Sequence, residues 1–414
     1  MNEQPLQTLK GFRDIFPQEK RKRDYVQAKI TEVFEQFGFE PLETPALEYA
    51  DLLLGKYGQE ADKLVYTFED RGGRKVGLRY DQTVPTARIL AQYRYNLPKF
   101  FRRYQVQNVF RADNPQQGRY REFTQCDIDI FDTSSPIADA EILACTYLAY
   151  RNIGFEQVIV KINDRQTLIN TLKPYSTDQL DVFAIIQSID KLDKLDKQEV
   201  TAELVKKGLK KTAAEQLLTD LQQIQPSSQL AEIIDLAQKL GVNSSALQFS
   251  PTLARGLDYY TGMIFEVIIP EYSAGSCGGG GRYDQLIEQL GGIAMPAVGF
   301  AFGFARTTAA ADTLGLIPDK AGSAQVLVTI FDQKTRSYSL QTAQQLRRKG
   351  VSVEIYPEPD KLGKQFKLAD QKDIPWVIVA GPEELEAEQV SLKNLESGQQ
   401  EQLTLEEEVE KIEQ

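Results

Sequence analysis

Residues 100–132 read FFRRYQVQNVFRADNPQQGRYREFTQCDIDIFD. Two extended runs, 103–110 and 121–131, flank a polar loop, 113–118, rich in turn residues. That pattern predicts an antiparallel hairpin with a long loop. Side chains alternate along a strand, so Arg121, Phe123, Gln125, Asp127 and Asp129 share one face. Glu122, Thr124, Cys126, Ile128 and Ile130 take the other, largely apolar one. A solvated edge strand carries the same alternation, but here the loop adds Arg111 and Arg119 beside Arg121. Three guanidiniums near an aromatic ring suit a nucleotide, because planar forks bind phosphate oxygens and Phe123 offers a stacking surface for a base.

The surrounding chain has 414 residues, which predicts two or three domains with ample material for a core. It contains no histidine. That excludes a Ser–His or Cys–His nucleophilic pair, a His-ligated zinc site and imidazole general-base chemistry. Catalysis would rest on carboxylates, guanidiniums, backbone dipoles and a metal held by oxygen ligands. Cys126, Cys145 and Cys277 lie far apart without metal-ligand spacing and read as reduced, structural thiols. A net charge of −11 argues against a generally basic coat, though a local basic face is compatible with it. The opening MNEQPLQTLKGF lacks the apolar core of a secretory signal, and no run reaches the roughly 20 apolar residues of a membrane span. The chain is expected to be cytoplasmic, with no membrane contact.

Taken in order, Pro17 opens a helix to Phe37, with Val26, Ile30, Val33, Phe34 and Phe37 at helical spacing. A hairpin follows over 65–68 and 75–80 and runs into LRYDQT (78–83). There Asp81, Gln82 and Thr83 offer a carboxylate, an amide and a hydroxyl at a strand–helix junction; helix capping accounts for them equally well. After the central hairpin come a helix over 137–152 and a strand over 157–162. Residues 165–246 are rich in Lys, Gln, Leu and Ala with helical periodicity, which predicts a separate helical insertion. Sheet-like sequence returns at LARGLDYYTGMIFEVII (253–269), where an extended run puts Arg255, Leu257 and Tyr259 on one side and Tyr260 on the other. SAGSCGGGGRYDQLI (273–287) reads as a glycine-rich loop able to approach a ligand, without the ending of a P-loop. In AVGFAFGFARTTAA (297–310) a strand enters a helix, with Arg306 where they meet. From Ala324, alternating strands and helices predict a small α/β domain with a mainly parallel sheet. Arg347, Arg348, Lys349, Lys361, Lys364 and Lys367 there form either ordinary helix surface or a nucleic-acid patch.

Several of these blocks resemble one family. GFRDIFP (11–17), with the helix to ETP (43–45), resembles motif 1 of class II aminoacyl-tRNA synthetases. The central hairpin resembles their motif 2, and VGFAFGFAR (298–306) their motif 3. LARGLDYYTGMIFE (253–266) and GGGGRYDQL (278–286) resemble the two signature motifs of histidyl-tRNA synthetases, and LRYDQT and QCDID (125–129) resemble the eukaryote-like and archaeal branch. The resemblance covers essentially the full chain. It implies an α+β catalytic domain, 1–164 and 247–320, whose mainly antiparallel sheet is flanked by helices. A helical insertion, 165–246, and a C-terminal α/β domain of anticodon-binding type, 324–414, complete the expected order. The implied activity joins L-histidine to ATP as an adenylate and passes it to the 3′ end of tRNA(His), in a homodimer, with Mg²⁺ accompanying ATP and no metal ligand assigned.

The same resemblance implies a role for each site residue. Asp81 and Thr83 would hold the α-ammonium, with Gln125 beside it. Asp129 would accept from the imidazole, with Tyr260 and Tyr259 at the ring's far end. Arg111 would meet the ATP α-phosphate and border the histidine, and Arg255 would contact both the substrate carboxylate and that phosphate; these two are the expected catalytic residues. Phe123 and Arg306 would sandwich the adenine, Arg119 would reach the outer phosphates, and Asp113 takes the place of the usual motif 2 acid. Ala112 and Ala305 depart from the family, standing where an arginine and an acidic residue are usual. Two alternatives are a synthetase-like regulatory subunit of ATP phosphoribosyltransferase and a histidine or tRNA sensor without catalysis.

Overall fold

The computed structural model describes residues 6–54, 64–114, 120–254 except 194, 259–318 except 274, 324–404, and 407, 411 and 412. The chain forms two compact units, Met1–Ile317 and Pro318–Gln414. Strands of the first are β1 (Glu40–Pro41), β2 (Leu47–Tyr49), β3 (Thr67–Glu69), β4 (Lys75–Leu78), β5 (Arg102–Phe110), β6 (Glu122–Phe131), β7 (Ile159–Asp164), β8 (Leu247–Phe249), β9 (Met263–Ile268), β10 (Gly278–Arg282) and β11 (Ala297–Phe302). An eight-stranded sheet runs β1-β5-β6-β11-β10-β9-β7-β8, and β2-β4-β3 make a smaller one. The large sheet is antiparallel except at its edges, where β1 pairs β5 and β7 pairs β8 in parallel. This is the expected mainly antiparallel sheet flanked by helices.

The central hairpin is β5 and β6. Its apolar face, Cys126, Ile128 and Ile130, is buried with Val26, Ile30, Val33 and Phe34 of the helix Pro17–Gln36 and with the helix Pro136–Ile153. Proline at the start of each helix fixes φ where no amide donor is needed. Gly38 ends the first helix at φ +73°, a backbone angle that costs glycine little.

Two sequence expectations are corrected here. The glycine run is a buried strand, β10, rather than a loop. A Cβ on Gly280 would stand 2.0 Å from the Gly299 carbonyl oxygen, and one on Gly281 2.3 Å from that of Met263. Glycine therefore serves to let β9, β10 and β11 approach closely. Arg282 then pins β10 to the helix behind it, with Nε 3.0 Å from Asp139 Oδ1 and Nη1 2.9 Å from the Thr133 carbonyl. Secondly, Tyr259 and Tyr260 precede β9 and do not alternate. Their ring centroids are 4.4 Å apart and the Tyr259 hydroxyl donates to that of Tyr260 at 3.3 Å.

Helices Arg165–Leu172, Val182–Ile189, Lys197–Lys206 and Lys211–Gln223 share a core of their own built on Leu168, Ile185, Val200, Leu204, Leu217 and Leu221. The next helix, Ser228–Lys239, instead sets Leu230, Ile233 and Ala237 into the main core against Pro136–Ile153. In packing terms the helical stretch therefore divides before residue 228, within the 165–246 expected as one insertion.

The second unit carries β12 (Val326–Val328), β13 (Val353–Ile355), β14 (Trp376–Val379), β15 (Val390–Asn394) and β16 (Gln400–Leu403), ordered β13-β12-β14-β15-β16. The first three strands are parallel, joined by helices Arg336–Arg348 and Leu362–Gln371, and the tail hairpin adds two antiparallel ones. Among the described residues no helix is long and apolar enough to cross a membrane.

Candidate active site

Register builds the site from one face of the large sheet. Arg103, Gln105 and Gln107 of β5 stand opposite Asp129, Asp127 and Gln125 of β6, and directly opposed residues point the same way. Across β6, Gly299 and Ala301 of β11 oppose Asp129 and Asp127. Beyond them Gly281 and Gly279 of β10 continue the row. The middle of this face thus bears nothing larger than a methyl group. Over that bare floor lies a cavity of about 50 Å³, lined by Thr83, Asp127, Asp129, Tyr259, Tyr260 and Tyr283. The volume suits one compact group and not a nucleotide.

Asp129 is held within the protein. Its Oδ2 lies 2.7 Å from Nη2 of Arg103, whose side chain is 1% exposed, and the Tyr283 hydroxyl donates to its Oδ1. Gly299 seats it, because a Cβ there would stand 1.8 Å from Asp129 Oδ1. Burial pushes the Asp129 carboxyl up, against the downward pull of Arg103 and the Tyr283 hydrogen bond. Asp127 differs. It is buried to the same degree and its Oδ1, like Asp129 Oδ2, has no hydrogen-bond partner, but it lacks the Arg103 ion pair and the Tyr283 contact. Burial raises its carboxyl to about 7; Arg103 opposes this, while Asp129 and Asp81 add to it.

Asp81 follows β4 at the start of the helix Thr83–Gln92 and accepts from the Val84 amide at 3.1 Å, so it does cap backbone. It keeps partial solvent exposure, yet surrounding protein raises its carboxyl to about 6 against Arg111 and Arg103. Gln82 ties the junction to the hairpin, donating to the Gln107 and Gln125 carbonyls at 3.2 Å each.

Toward the hairpin's open end the site becomes wetter. Arg111 is half-buried, donates from Nε to the Tyr80 carbonyl at 3.0 Å, and lies 5.1 Å from the Phe123 ring centroid. Gln125 presents a buried Oε1 without a partner. Exposed Arg306 donates to the Ser276 carbonyl. Asp113 is half-buried, and its carbonyl accepts from Arg121 Nε at 2.9 Å. Arg121 also reaches the Lys10 carbonyl, so this third guanidinium braces the loop rather than facing a ligand. Arg119 and Arg255 lie outside the described residues.

The structure therefore brings together Asp81, Thr83, Asp129, Tyr259 and Tyr260 at one end, and Arg111, Phe123 and Gln125 at the other. Arg103, Asp127 and Tyr283 are additions that sequence reasoning left without roles. A signal existed for Arg103: alternation sends one arginine of the Arg102–Arg103 pair inward, and Arg102 turns out to Glu141 at 2.6 Å. Among the described residues no three Asp, Glu, Cys or His side chains are grouped to hold a metal.

Residues 11–306 match the histidyl-tRNA synthetase family and 325–414 the anticodon binding domain family. A protein from Wolinella succinogenes named histidine–tRNA ligase is 37% identical over 97% of either chain. One of the same name from Rhodopirellula baltica is 38% identical, over 94% of this chain and 93% of its own. The crystal structure of histidyl-tRNA synthetase from Nostoc superposes with a TM-score of 0.87 at 29% identity, over 99% of each chain. A Bacillus halodurans structure described as an ATP phosphoribosyltransferase regulatory subunit/histidyl-tRNA synthetase shares the fold, with a TM-score of 0.74 at 20% identity over 91% of this chain and 98% of that one. With both units matched and the motif residues gathered on one sheet face, the chain belongs to the histidyl-tRNA synthetase family.

Proposed function

We propose that this chain is a histidine–tRNA ligase, which activates L-histidine with ATP and transfers it to the 3′ end of tRNA(His). One observation carries the reading: a single strand, β6, leads from a cation-and-ring site at Arg111 and Phe123 to a carboxylate-walled cavity at Asp127 and Asp129. Two substrates laid along it would meet near Gln125.

In the first step a histidine carboxylate oxygen attacks the α-phosphorus, forming one P–O bond as the bond to pyrophosphate breaks. Charge grows on the equatorial oxygens, and Arg111 and Arg255 offset it; no proton is removed by a base, which agrees with a chain lacking histidine. Asp81 and Thr83 hold the α-ammonium beside Gln125, and the imidazole enters the cavity between Asp129 and the phenols of Tyr259 and Tyr260. Phe123 and Arg306 take the adenine, Arg119 the outer phosphates, and Asp113 closes the motif 2 end. Mg²⁺ would accompany the triphosphate and offset charge there. In the second step a terminal ribose oxygen of tRNA bonds to the acyl carbon as the carbon–oxygen bond to AMP breaks, and the hydroxyl proton passes to the departing phosphate.

The second unit would read the anticodon, a role supported by its family match. The small sheet leaves Leu47, Tyr49 and Phe68 between 46% and 63% exposed, and Phe16 is exposed as well, an apolar surface suited to a homodimer. A cytoplasmic location completes the reading. The regulatory-subunit alternative has only the shared fold in its favour. Histidine-dependent ATP–pyrophosphate exchange tests the proposal: exchange specific to histidine is expected, and its absence with any amino acid at adequate Mg²⁺ would sink the ligase.

A further inference from the structure

We infer that Gln82 is a positioning residue for adenylation: its buried amide sets Asp81 and Thr83 at a fixed height over the hairpin, so that the substrate carboxylate meets the α-phosphorus beside Gln125. The inference rests on the ligase reading of the site and adds a residue that touches neither substrate.

Gln82 stands at the N-cap of the helix Thr83–Gln92, yet its side chain caps no backbone amide; Asp81 does that. It is 0% exposed, and burying an amide is costly unless its hydrogen bonds are made. They are made on the sheet. Nε2 donates at 3.2 Å to both the Gln107 and the Gln125 carbonyl, and those two residues oppose each other across β5 and β6. Oε1 accepts from Nη1 of Arg103 at 3.5 Å. One side chain thus links the ammonium-binding pair to the rung of the hairpin where the two substrates would meet. The fold does not depend on this link alone. Arg79 fastens the preceding strand to the Asn108 carbonyl at 2.9 Å, and Val84, Ala87 and Leu90 seat the helix in the core. Losing the amide would therefore let the junction shift while it stays folded. Histidine held by Asp81 and Thr83 would shift with it, and a displacement of about 1 Å between reacting groups can cost about 100-fold in rate.

The test combines exchange kinetics with calorimetric titration of histidine into the full-length protein. Gln82→Met keeps an unbranched chain of similar length without a donor. Its exchange kcat should fall about 30-fold while the histidine Kd stays within about fivefold, a split that marks lost alignment rather than lost binding. Gln82→Glu keeps the length, but its carboxyl can donate to a carbonyl only when protonated. Its kcat relative to wild type at the same pH should rise about fivefold from pH 8 to pH 6, whereas the ratio for Gln82→Met stays flat. The glutamate variant carries the test should the methionine variant unfold. A kcat for Gln82→Met within threefold of wild type, a histidine affinity that falls as far as kcat, or a flat ratio for Gln82→Glu would overturn the inference. The ligase reading fails differently, by the wild type binding histidine without any exchange.

Discussion

At its open end β6 carries Phe123 and Gln125 half-exposed beside Arg111, whereas further along the same face Asp127 and Asp129 are almost wholly buried with Arg103. The first end is built from neighbours in the hairpin itself. The second depends on Tyr283, on Gly299 and on the strands β10 and β11, all distant in sequence. Charge at the wet end is screened and adjustable, while charge at the dry end must be matched inside the protein. Substitutions should therefore affect stability at the dry end and affinity alone at the wet end.

The largest effect is expected at Arg103. Arg103→Met removes the cation paired with Asp129 and leaves that buried carboxyl to stay charged without a partner or to take up a proton. Breaking a buried pair in this way costs about 3–5 kcal/mol. Urea denaturation should show that loss in the unfolding midpoint; a shift below about 1 kcal/mol would mean that the dry end is solvated. Gly299→Ala comes next. Its methyl group would meet Asp129 Oδ1 at 1.8 Å and the Ile128 carbonyl at 2.6 Å, so the strands must part. Overpacking of this kind costs about 1–3 kcal/mol, and histidine titration should show binding lost with it. Unchanged histidine affinity would show that Asp129 can move without disturbing the pocket.

The same contrast explains what the sequence made legible. Hairpin alternation predicted both faces of β6, because period two is a local property, and Cys126, Ile128 and Ile130 do enter the core. The motif 2 cation and ring were equally visible, since Arg111 and Phe123 sit in one hairpin. The glycine run misled because four glycines resemble a flexible loop when the strands on either side are unknown. Only the close approach of Met263 and Gly299 shows why glycine is needed there. Tyr259 and Tyr260 misled for a related reason: alternation was assumed before the strand had begun. The helical stretch read correctly as helices, yet whether a helix faces its own cluster or the main core depends on contacts that periodicity does not encode.

Asp127 offers a sharper comparison, because its substitution should raise stability. Its carboxyl is raised to about 7, above the usual value for an unfolded aspartate. The folded state thus keeps a proton that the unfolded state releases, so this contribution favours folding at acidic pH and is lost as pH rises toward and through about 7. Asp127→Asn removes that dependence. It should stabilise the protein by roughly 4 kcal/mol at pH 8, about three pKa units at about 1.4 kcal/mol each, with the gain shrinking toward zero near pH 4. Denaturation series at both pH values check the sign. A loss of stability at pH 8 would mean that Asp127 is favourably paired in the folded chain.

The smallest expected change lies at the wet end and bears on whether the ends are separable. Phe123 lies beneath Arg111 and is half-exposed, so truncating it removes a stacking surface without uncovering a buried charge. Ring–cation and ring–base contacts at such sites are worth about 1 kcal/mol. Phe123→Ala should therefore raise the KM for ATP about five- to tenfold in the exchange assay, since 1.4 kcal/mol corresponds to a factor of ten. The KM for histidine and the urea midpoint should stay close to wild type. Because Gln125 lies between Phe123 and Asp127 on the same face, a parallel rise in the histidine KM would show that the two ends of β6 act as one site, and the division between them would then have to be given up.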